Sequence, residues 1–307
     1  MKIVVTGSSG FIGKRMVAAL VEKDHDVIAI DRNENNSFGS VKNVSAVYLD
    51  IANPKFMLNV FNRHKPEAVI HLAAQASVPF SLKNAYADCM DNVLGTVNVI
   101  GAAQAVRCKR IVFASTCALY DPDAELPWTE KSSVRPMSPY GVGKRACELY
   151  LQASGLSWVA LRYGNVYGPG QTAKAEATVI AGALNHMING EPFVVNGDGE
   201  QMRDWIYVED VVAANLAALG SDKIGIFNVS TGVGTTLNHA LAIMARAIGF
   251  TKKLDCGPPV PEQRDIVMSS DKFRERFDWA PVTPIEMGLE RTAQAWTRNT
   301  AKSVWLL

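Results

Sequence analysis

The sequence lacks the features that mark membrane-spanning and nucleic-acid-binding proteins. No run of about 18 apolar residues occurs, and Met1–Thr6 is too short for the apolar core of a signal peptide. The 31 Lys and Arg residues against 30 Asp and Glu leave a formal net charge of +1, without the basic excess that suits a phosphate backbone. We therefore expect neither a membrane nor nucleic acid among the partners.

Cysteine is scarce as well. The 307 residues contain five, an odd number with no C-x-x-C pair, which argues against a disulfide framework and against a zinc site. We expect a cytoplasmic protein that works in a reducing compartment and holds no metal. The composition, 48% hydrophobic and 20% charged, is that of a globular protein, and the length suggests about two domains.

Short apolar runs alternate with helical patterns through the first half of the chain. The helical patterns lie near residues 12–23, 54–63, 84–106 and 139–153. The predicted strands are Lys2–Thr6, Val27–Asp31, Ala46–Asp50, Ala68–Leu72, Arg110–Ser115 and Trp158–Arg162. This alternation predicts an α/β fold built on a Rossmann-type, doubly wound parallel sheet.

The pattern changes beyond residue 168, where glycine and proline separate shorter elements. We expect a first domain over residues 1–168 and a smaller C-terminal domain over 169–307. Within the second segment, Val208–Leu219 is helical and Ile226–Ser230 is strand-like. The stretch of about 204–235 is therefore a candidate to return to the main sheet.

A glycine-rich loop joins the first predicted strand to the first predicted helix. Its sequence is Gly7-Ser8-Ser9-Gly10-Phe11-Ile12-Gly13. Gly7 permits the tight turn, Gly10 lets backbone amides approach a phosphate, and Gly13 allows close packing of helix on strand. The helix N-terminus favours an anion. The loop therefore predicts a binding site for the pyrophosphate of a dinucleotide.

The ends of the next two strands carry carboxylates. Asp31 ends the second strand, where it can accept a hydrogen bond from a ribose 2′-hydroxyl and would repel a 2′-phosphate. NAD is therefore favoured over NADP, although Arg32 beside it weakens that preference. Asp50 and Ile51, after the third strand, are placed to reach the adenine, but a polar strand end of this kind is equally compatible with a structural role.

Two further motifs bring catalytic side chains to the same sheet edge. Tyr140 and Lys144 are four residues apart at a predicted helix start, so the ammonium can stabilise the phenolate. Ser115 and Thr116 end a buried-looking strand, which places their hydroxyls at the carboxyl edge where open α/β sheets bind ligands. These residues predict a tyrosine general base with a hydroxyl beside it.

Several segments together resemble a known family. They are Thr6–Gly13, His71-Leu72-Ala73-Ala74-Gln75, Asn92-Val93-Leu94-Gly95-Thr96, Ser115–Tyr120, Pro139–Lys144, Leu161–Pro169 and Gly197–Val211. Over nearly its whole length the chain is similar to the extended short-chain dehydrogenase/reductase family, specifically to NAD-dependent nucleotide-sugar epimerases and dehydratases. The resemblance implies an NAD-binding first domain, a C-terminal domain that mainly binds a nucleotide-diphosphate sugar, and a homodimer.

The resemblance also implies roles for individual residues. Thr116, Tyr140 and Lys144 would be catalytic. The predicted cofactor contacts are Gly7, Gly10, Phe11, Ile12, Gly13, Asp31, Arg32, Asp50, Ile51, Leu72, Ala73, Ala74, Asn92, Tyr140, Lys144 and Tyr163. The predicted substrate contacts are Ser77, Thr116, Tyr140, Asn165, Arg203 and Arg264, the last as a substitute for an arginine that the family pattern places where this chain has Pro259.

Members of this family share a first oxidation at the sugar C4 and differ in the later steps. A 4,6-dehydratase uses an Asp/Glu pair directly after the catalytic threonine, whereas this chain has Cys117 and Ala118. A 4-epimerase needs no such pair. We therefore expect an NAD-dependent 4-epimerase of the UDP-glucose/UDP-galactose or UDP-GlcNAc/UDP-GalNAc type, which acts through a transient 4-keto sugar with bound NAD. A dehydratase with Cys117 as an unusual acid, a 4-keto-sugar reductase and a catalytically silent dinucleotide-binding protein remain alternatives.

Overall fold

The computed structural model describes residues 1–34, 38, 41–172, 179–191, 193–252, 254–259 and 265–304. Its strands are β1 (Lys2–Thr6), β2 (Asp26–Asp31), β3 (Val44–Tyr48), β4 (Ala68–His71), β5 (Arg110–Thr116), β6 (Trp158–Tyr163), β7 (Asn165–Tyr167), β8 (Val194–Asn196), β9 (Met202–Tyr207), β10 (Gly225–Val229), β11 (Gly234–Thr236) and β12 (Asp255–Gly257). Its α-helices are α1 (Phe11–Glu22), α2 (Pro54–His64), α3 (Val78–Lys83), α4 (Ala85–Cys89), α5 (Gly95–Ala105), α6 (Pro139–Ala153), α7 (Val179–Ile188), α8 (Val208–Leu219), α9 (Leu237–Ile248), α10 (Asp271–Phe277) and α11 (Ile285–Val304).

Seven parallel strands form the main sheet, in the order β3-β2-β1-β4-β5-β6-β10. The chain order reverses between β1 and β4, which opens a crevice at the carboxyl ends of these two strands. This is the doubly wound α/β sheet that the sequence predicts, and the predicted fold class is confirmed.

Helices cover the sheet on both faces. Residues of α1 and α8 pack in one buried cluster with alternate residues of the strands, and residues of α2, α5 and α6 pack in a second cluster on the opposite face. The strands β4, β5 and β6 are buried along their whole lengths. Their continuous apolar runs arise because both faces of a parallel sheet are covered.

The helix predicted near residues 84–106 is interrupted. The structure has α4, a π-helical turn over Met90–Leu94, and then α5. Short π-helical turns inside helices are frequent at functional sites. Directly after the turn, a Cβ on Gly95 would lie 2.6 Å from Ile51 Cδ1, so the glycine allows the helix to pass close to the end of the third βα unit.

The C-terminal part contributes to three sheets. Strand β10 pairs with β6 and completes the main sheet, β7, β9 and β11 form a smaller one, and β8 and β12 form a two-stranded sheet. Helices α7, α9 and α11 bury their apolar faces with Trp205, Tyr207 and Tyr167 of the small sheet. In the described part of the chain, no helix is long and apolar enough to cross a membrane.

Candidate active site

A groove with a volume of about 730 Å³ lies at the carboxyl ends of the main-sheet strands. Most of the predicted cofactor residues line it. Its lining comprises Gly7, Ser9, Gly10, Phe11, Ile12, Gly13, Ile30, Asp31, Arg32, Asn33, Leu49, Asp50, Ile51, Leu72, Ala73, Ala74, Gln75, Ala76, Ser77, Phe80, Asp91, Ala114, Ser115, Tyr140, Lys144 and Tyr163. A groove of this size and composition suits a small organic ligand or cofactor.

Two glycines of the loop, Gly7 and Gly13, leave no room for a side chain. Gly7 has φ +69°, and a Cβ there would lie 2.7 Å from the backbone nitrogen of Ala73. A Cβ on Gly13 would lie 2.0 Å from the carbonyl oxygen of Gly7. The loop therefore holds β1, α1 and the turn after β4 in contact, with the N-terminus of α1 facing the groove, as a pyrophosphate site requires.

Asp31 is held in place by backbone amides. Its Oδ2 accepts a hydrogen bond from the Ser9 amide at 2.8 Å, and its Oδ1 accepts one from the Asn33 amide at 2.9 Å. Ser9 was not predicted from the sequence. Its hydroxyl is buried on the groove with no hydrogen-bond partner among the described residues, so it can donate to a bound polar ligand.

A neutral hydrogen-bond chain, which we call the His71 relay, supports the turn after β4. The Ala73 amide donates to Thr6 Oγ1 at 3.2 Å, and His71 Nδ1 and Nε2 lie 2.6 and 2.9 Å from the hydroxyls of Thr6 and Thr96. The Thr96 hydroxyl donates to the Asn92 carbonyl at 2.6 Å, so Nε2 must donate and Nδ1 must accept. Burial lowers the pKa of His71 to about 3, which keeps the imidazole neutral.

Asn92 was predicted to contact the cofactor, but its side chain is directed elsewhere. It is buried and exchanges hydrogen bonds with the backbone of Gln75, its Oδ1 accepting at 2.9 Å and its Nδ2 donating at 2.9 Å. Nδ2 also donates to Asp88 Oδ1 at 3.0 Å. Asn92 therefore positions the segment that follows Ala73-Ala74 and does not line the groove.

The three predicted catalytic residues come together at the end of β5 and the start of α6. Ser138 caps α6, accepting a hydrogen bond from the Gly141 amide, and Tyr140 and Lys144 lie on the face of α6 toward β5. Lys144 Nζ donates to the Ala114 carbonyl at 2.8 Å and lies 5.9 Å from the centre of the Tyr140 ring. Thr116 interacts with the Tyr140 side chain.

Burial dominates the titration of this group. It raises the pKa of the Tyr140 phenol, an effect that the Thr116 side chain partly offsets. The pKa of Lys144 is lowered to about 8, again chiefly by burial. The pKa of the phenol therefore lies above its ordinary value, because desolvation of the phenolate is the largest effect.

A charged network, which we call the Glu148 network, lies behind the catalytic strand. Arg162 donates to Glu148 at 2.9 and 2.7 Å, and the Ser115 hydroxyl donates to the same carboxylate at 2.7 Å. The guanidinium also lies 4.8 Å from the centre of the Tyr120 ring. Glu148 and Arg162 are both fully buried. Sequence reasoning did not identify Glu148, although it lies one helical turn after Lys144.

The structure describes five of the six predicted substrate residues, and Thr116 and Tyr140 belong to the catalytic group. Ser77 lines the groove and caps α3. Asn165 and Arg203 are half-buried on the small sheet, away from the groove lining, and the Asn165 Oδ1 has no partner among the described residues. Cys117 is buried directly after Thr116, and Arg264 lies outside the described residues. No cluster of metal-ligating side chains occurs in the described ranges.

The chain is similar to several known proteins. It is 35% identical to a putative UDP-glucose 4-epimerase of Methanocaldococcus jannaschii, over 98% of this chain and 100% of that one. A UDP-glucose 4-epimerase of Thermotoga maritima, solved with UDP-glucose, matches with TM-score 0.92 and 35% identity over 98% and 100% of the chains. A UDP-N-acetylglucosamine 4-epimerase of Methanobrevibacter ruminantium, solved with UDP-N-acetylmuramic acid, matches with TM-score 0.91 and 29% identity over 97% and 98%.

Residues 3–230 match the NAD-dependent epimerase/dehydratase family, and the chain belongs to that family. The predictions of an NAD-dependent epimerase and of NAD as its cofactor are confirmed. The groove fits this cofactor, because the glycine cradle admits a pyrophosphate, the buried Ser9 hydroxyl is free to donate, and Asp31 stands at the end of β2.

Proposed function

We propose that this protein is a UDP-sugar 4-epimerase that inverts the configuration at C4 of a UDP-linked hexose. The observation that carries the proposal is the meeting of Thr116, Tyr140 and Lys144 beside the dinucleotide groove, followed in the chain by Cys117 and Ala118. The relatives named as UDP-sugar 4-epimerases, which match over almost the whole chain, support it.

In this mechanism Tyr140 removes the proton from the sugar 4-hydroxyl, with Thr116 beside it to hold that hydroxyl. NAD, when bound, supplies the hydride acceptor for C4, the donor for the return step, and a positive charge that favours the phenolate. Lys144, with a pKa of about 8, is largely cationic at neutral pH and adds to that stabilisation. Tyr140 would then return the proton to the C4 oxygen of the inverted sugar.

The residues after Thr116 favour epimerisation over dehydration. Removing the C5 proton and expelling the C6 hydroxyl requires an acid and a base. Burial raises the pKa of Cys117 to about 11, so the thiol stays protonated and is a weak proton donor, and Ala118 cannot transfer protons. Cys117 packs with Leu119, Tyr120 and Trp128, as a small structural residue does.

We assign the nucleotide-sugar contacts to Ser77, Asn165 and Arg203, with the guanidinium of Arg203 suited to diphosphate oxygens. Arg264 remains a candidate for a second diphosphate contact. We further infer that N-acetyl sugars are accepted as well as UDP-glucose and UDP-galactose. The similarity to the Methanobrevibacter enzyme supports this extension.

We infer that residues 1–168, together with the segment of about 204–235, bind NAD and that 169–307 mainly bind the nucleotide sugar. A cytoplasmic location is supported by the cysteines, all five of which are free thiols. A homodimer is supported by exposed apolar side chains on α3, α4 and α6. These side chains are Leu82, Tyr86, Val142, Leu149 and Tyr150.

A proton NMR time course tests the proposed reaction. The purified protein, without added cofactor, is given UDP-glucose, UDP-galactose, UDP-GlcNAc and UDP-GalNAc separately. We expect the anomeric signal of the C4 epimer to appear. A C6 methyl doublet would instead identify a dehydratase, and turnover that consumes added NADH stoichiometrically would identify a reductase. Absence of product from both N-acetyl sugars would overturn the extension to them.

The variant Tyr140→Phe tests the role of the phenol. We expect kcat to fall at least about 100-fold, the usual contribution of a general acid–base group, while NAD binding persists. Tyr48→Phe, at an exposed position of the edge strand β3, is the control and should stay within about twofold of the wild type. Retention of activity by Tyr140→Phe would contradict the mechanism.

A further inference from the structure

The end of the groove near β2 is strongly acidic but contains one arginine. Asp31, Asp50 and Asp91 all line the groove there, and Arg32 lies among them. Arg32 Nη1 lies 2.9 Å from Asp91 Oδ2, with side chains that are 59% and 22% exposed. The only arginine on this groove lining within the described residues is thus paired with a carboxylate from a different part of the chain.

Asp91 lies in the π-helical turn over Met90–Leu94. Two consecutive residues of that turn make different contacts. Asn92 bonds the backbone of Gln75, while Asp91 faces the groove and Arg32. The pairing joins the end of β2 to a segment about 60 residues later in the chain, so the sequence pattern does not reveal it.

The position of Arg32 matters for the choice of cofactor. At the end of the second strand of a Rossmann fold, a carboxylate binds the ribose 2′-hydroxyl of NAD, whereas a nearby arginine accommodates the 2′-phosphate of NADP. Here both residue types are adjacent in the chain, as Asp31 and Arg32. Asp31 is fixed by two backbone amides. The choice of cofactor then depends on whether the Arg32 guanidinium is available to a 2′-phosphate.

We propose that Asp91 is a specificity determinant that makes the groove selective for NAD. It holds the Arg32 guanidinium in an ion pair, which withholds it from a 2′-phosphate, and it adds a second negative charge that repels one. Selectivity then depends on Asp91 together with Asp31. The inference rests on NAD as the cofactor and is independent of which sugar the enzyme converts.

The test is a titration of nucleotide-free protein with NAD⁺ and with NADP⁺ by isothermal titration calorimetry. In Asp91→Asn we expect the affinity for NADP⁺ to rise roughly fivefold, the scale of an exposed ion pair, while that for NAD⁺ changes less than about twofold. NAD⁺ should still bind more tightly, because Asp31 remains. An Asp91→Asn protein that binds NAD⁺ normally and gains nothing for NADP⁺ would overturn the proposal.

Two further variants test whether the gain in NADP⁺ affinity depends on Arg32. Combining Asp91→Asn with Arg32→Ala should remove the gain, and a gain that persists in the double variant would overturn the proposal. Asp123→Asn removes one of the two carboxylates that pair with the exposed Arg135 outside the groove, and should leave both affinities unchanged. An equal gain in that control would show a general charge effect and would also overturn it.

Arg32→Ala alone provides an independent measurement if Asp91→Asn fails to fold. Because Asp91 loses its counter-charge in this variant and still repels a 2′-phosphate, we expect it to bind NADP⁺ no more tightly than the wild type does. A gain in NADP⁺ affinity would overturn the proposal.

Discussion

Two buried polar networks support the site. One keeps its buried polar groups neutral, and the other pairs two buried charges. The His71 relay joins the turn after β4 to the π-helical turn with neutral groups, each donor matched to an acceptor. The Glu148 network places a full ion pair behind the catalytic strand. A neutral relay needs no counter-charge but fails when its imidazole is protonated, whereas a buried ion pair fails when either partner is lost.

Breaking the Glu148 network should have the largest effect. Glu148→Ala leaves the Arg162 guanidinium buried without its counter-charge, and we expect the free energy of unfolding to fall by about 3–5 kcal/mol. Urea denaturation measures it. Arg145 also pairs with Glu148, but its side chain is one-third exposed. Arg145→Ala should therefore lower the free energy of unfolding by less than about 1 kcal/mol. Equal losses in the two variants would contradict the importance of the buried pair.

Breaking the His71 relay should cost less, because no charge is stranded. His71→Leu leaves the Thr6 and Thr96 hydroxyls without the imidazole, and we expect a loss of about 2–3 kcal/mol. The exposed His239→Leu is the control, with a change within about 0.5 kcal/mol by the same denaturation experiment. A His71→Leu protein as stable as the wild type would show that the relay contributes nothing.

Acidification sharpens the contrast between the networks. Below about pH 6.5 the unfolded chain protonates His71 while the folded protein, with a pKa of about 3, does not, so stability is lost as the pH falls. Burial opposes ionisation of Glu148, but Arg162 outweighs it and lowers the pKa of that carboxyl. The contribution of Glu148 to stability therefore persists until the pH falls below about 4.5.

From pH 7.5 to 5, we expect the free energy of unfolding of the wild type to fall by about 2 kcal/mol more than that of His71→Leu. Denaturation of both proteins at several pH values measures this, and parallel losses would exclude His71 as the cause.

Much of the fold could be predicted because parallel strands and glycine loops leave local signals. The strand Lys2–Thr6 and the helix Val208–Leu219 are predicted to the residue. The third strand is observed at Val44–Tyr48, two residues earlier than predicted. It lies at the sheet edge with largely exposed side chains, so its apolar pattern marks the ends poorly.

The supporting groups of the site could not be predicted, because their partners are distant in the chain. Ser9 and Asp91 become significant only when they meet Asp31 and Arg32 across the groove. Glu148 pairs with Arg162 of the neighbouring strand, and a solvent-facing helical glutamate would have the same sequence pattern. The glycine loop, Tyr140 and Lys144 could be proposed from their residue types and spacings, and Thr116 was assigned a catalytic role through the family resemblance.

The return of β10 to the main sheet has a consequence for how the chain can be divided. A fragment that ends at residue 168 would lack β10 and would leave the backbone of β6 unpaired along that side. An exposed, apolar strand edge is a template for pairing with other chains. Such a fragment would therefore be prone to aggregation, because β6 needs a strand from the later part of the chain to cover its edge.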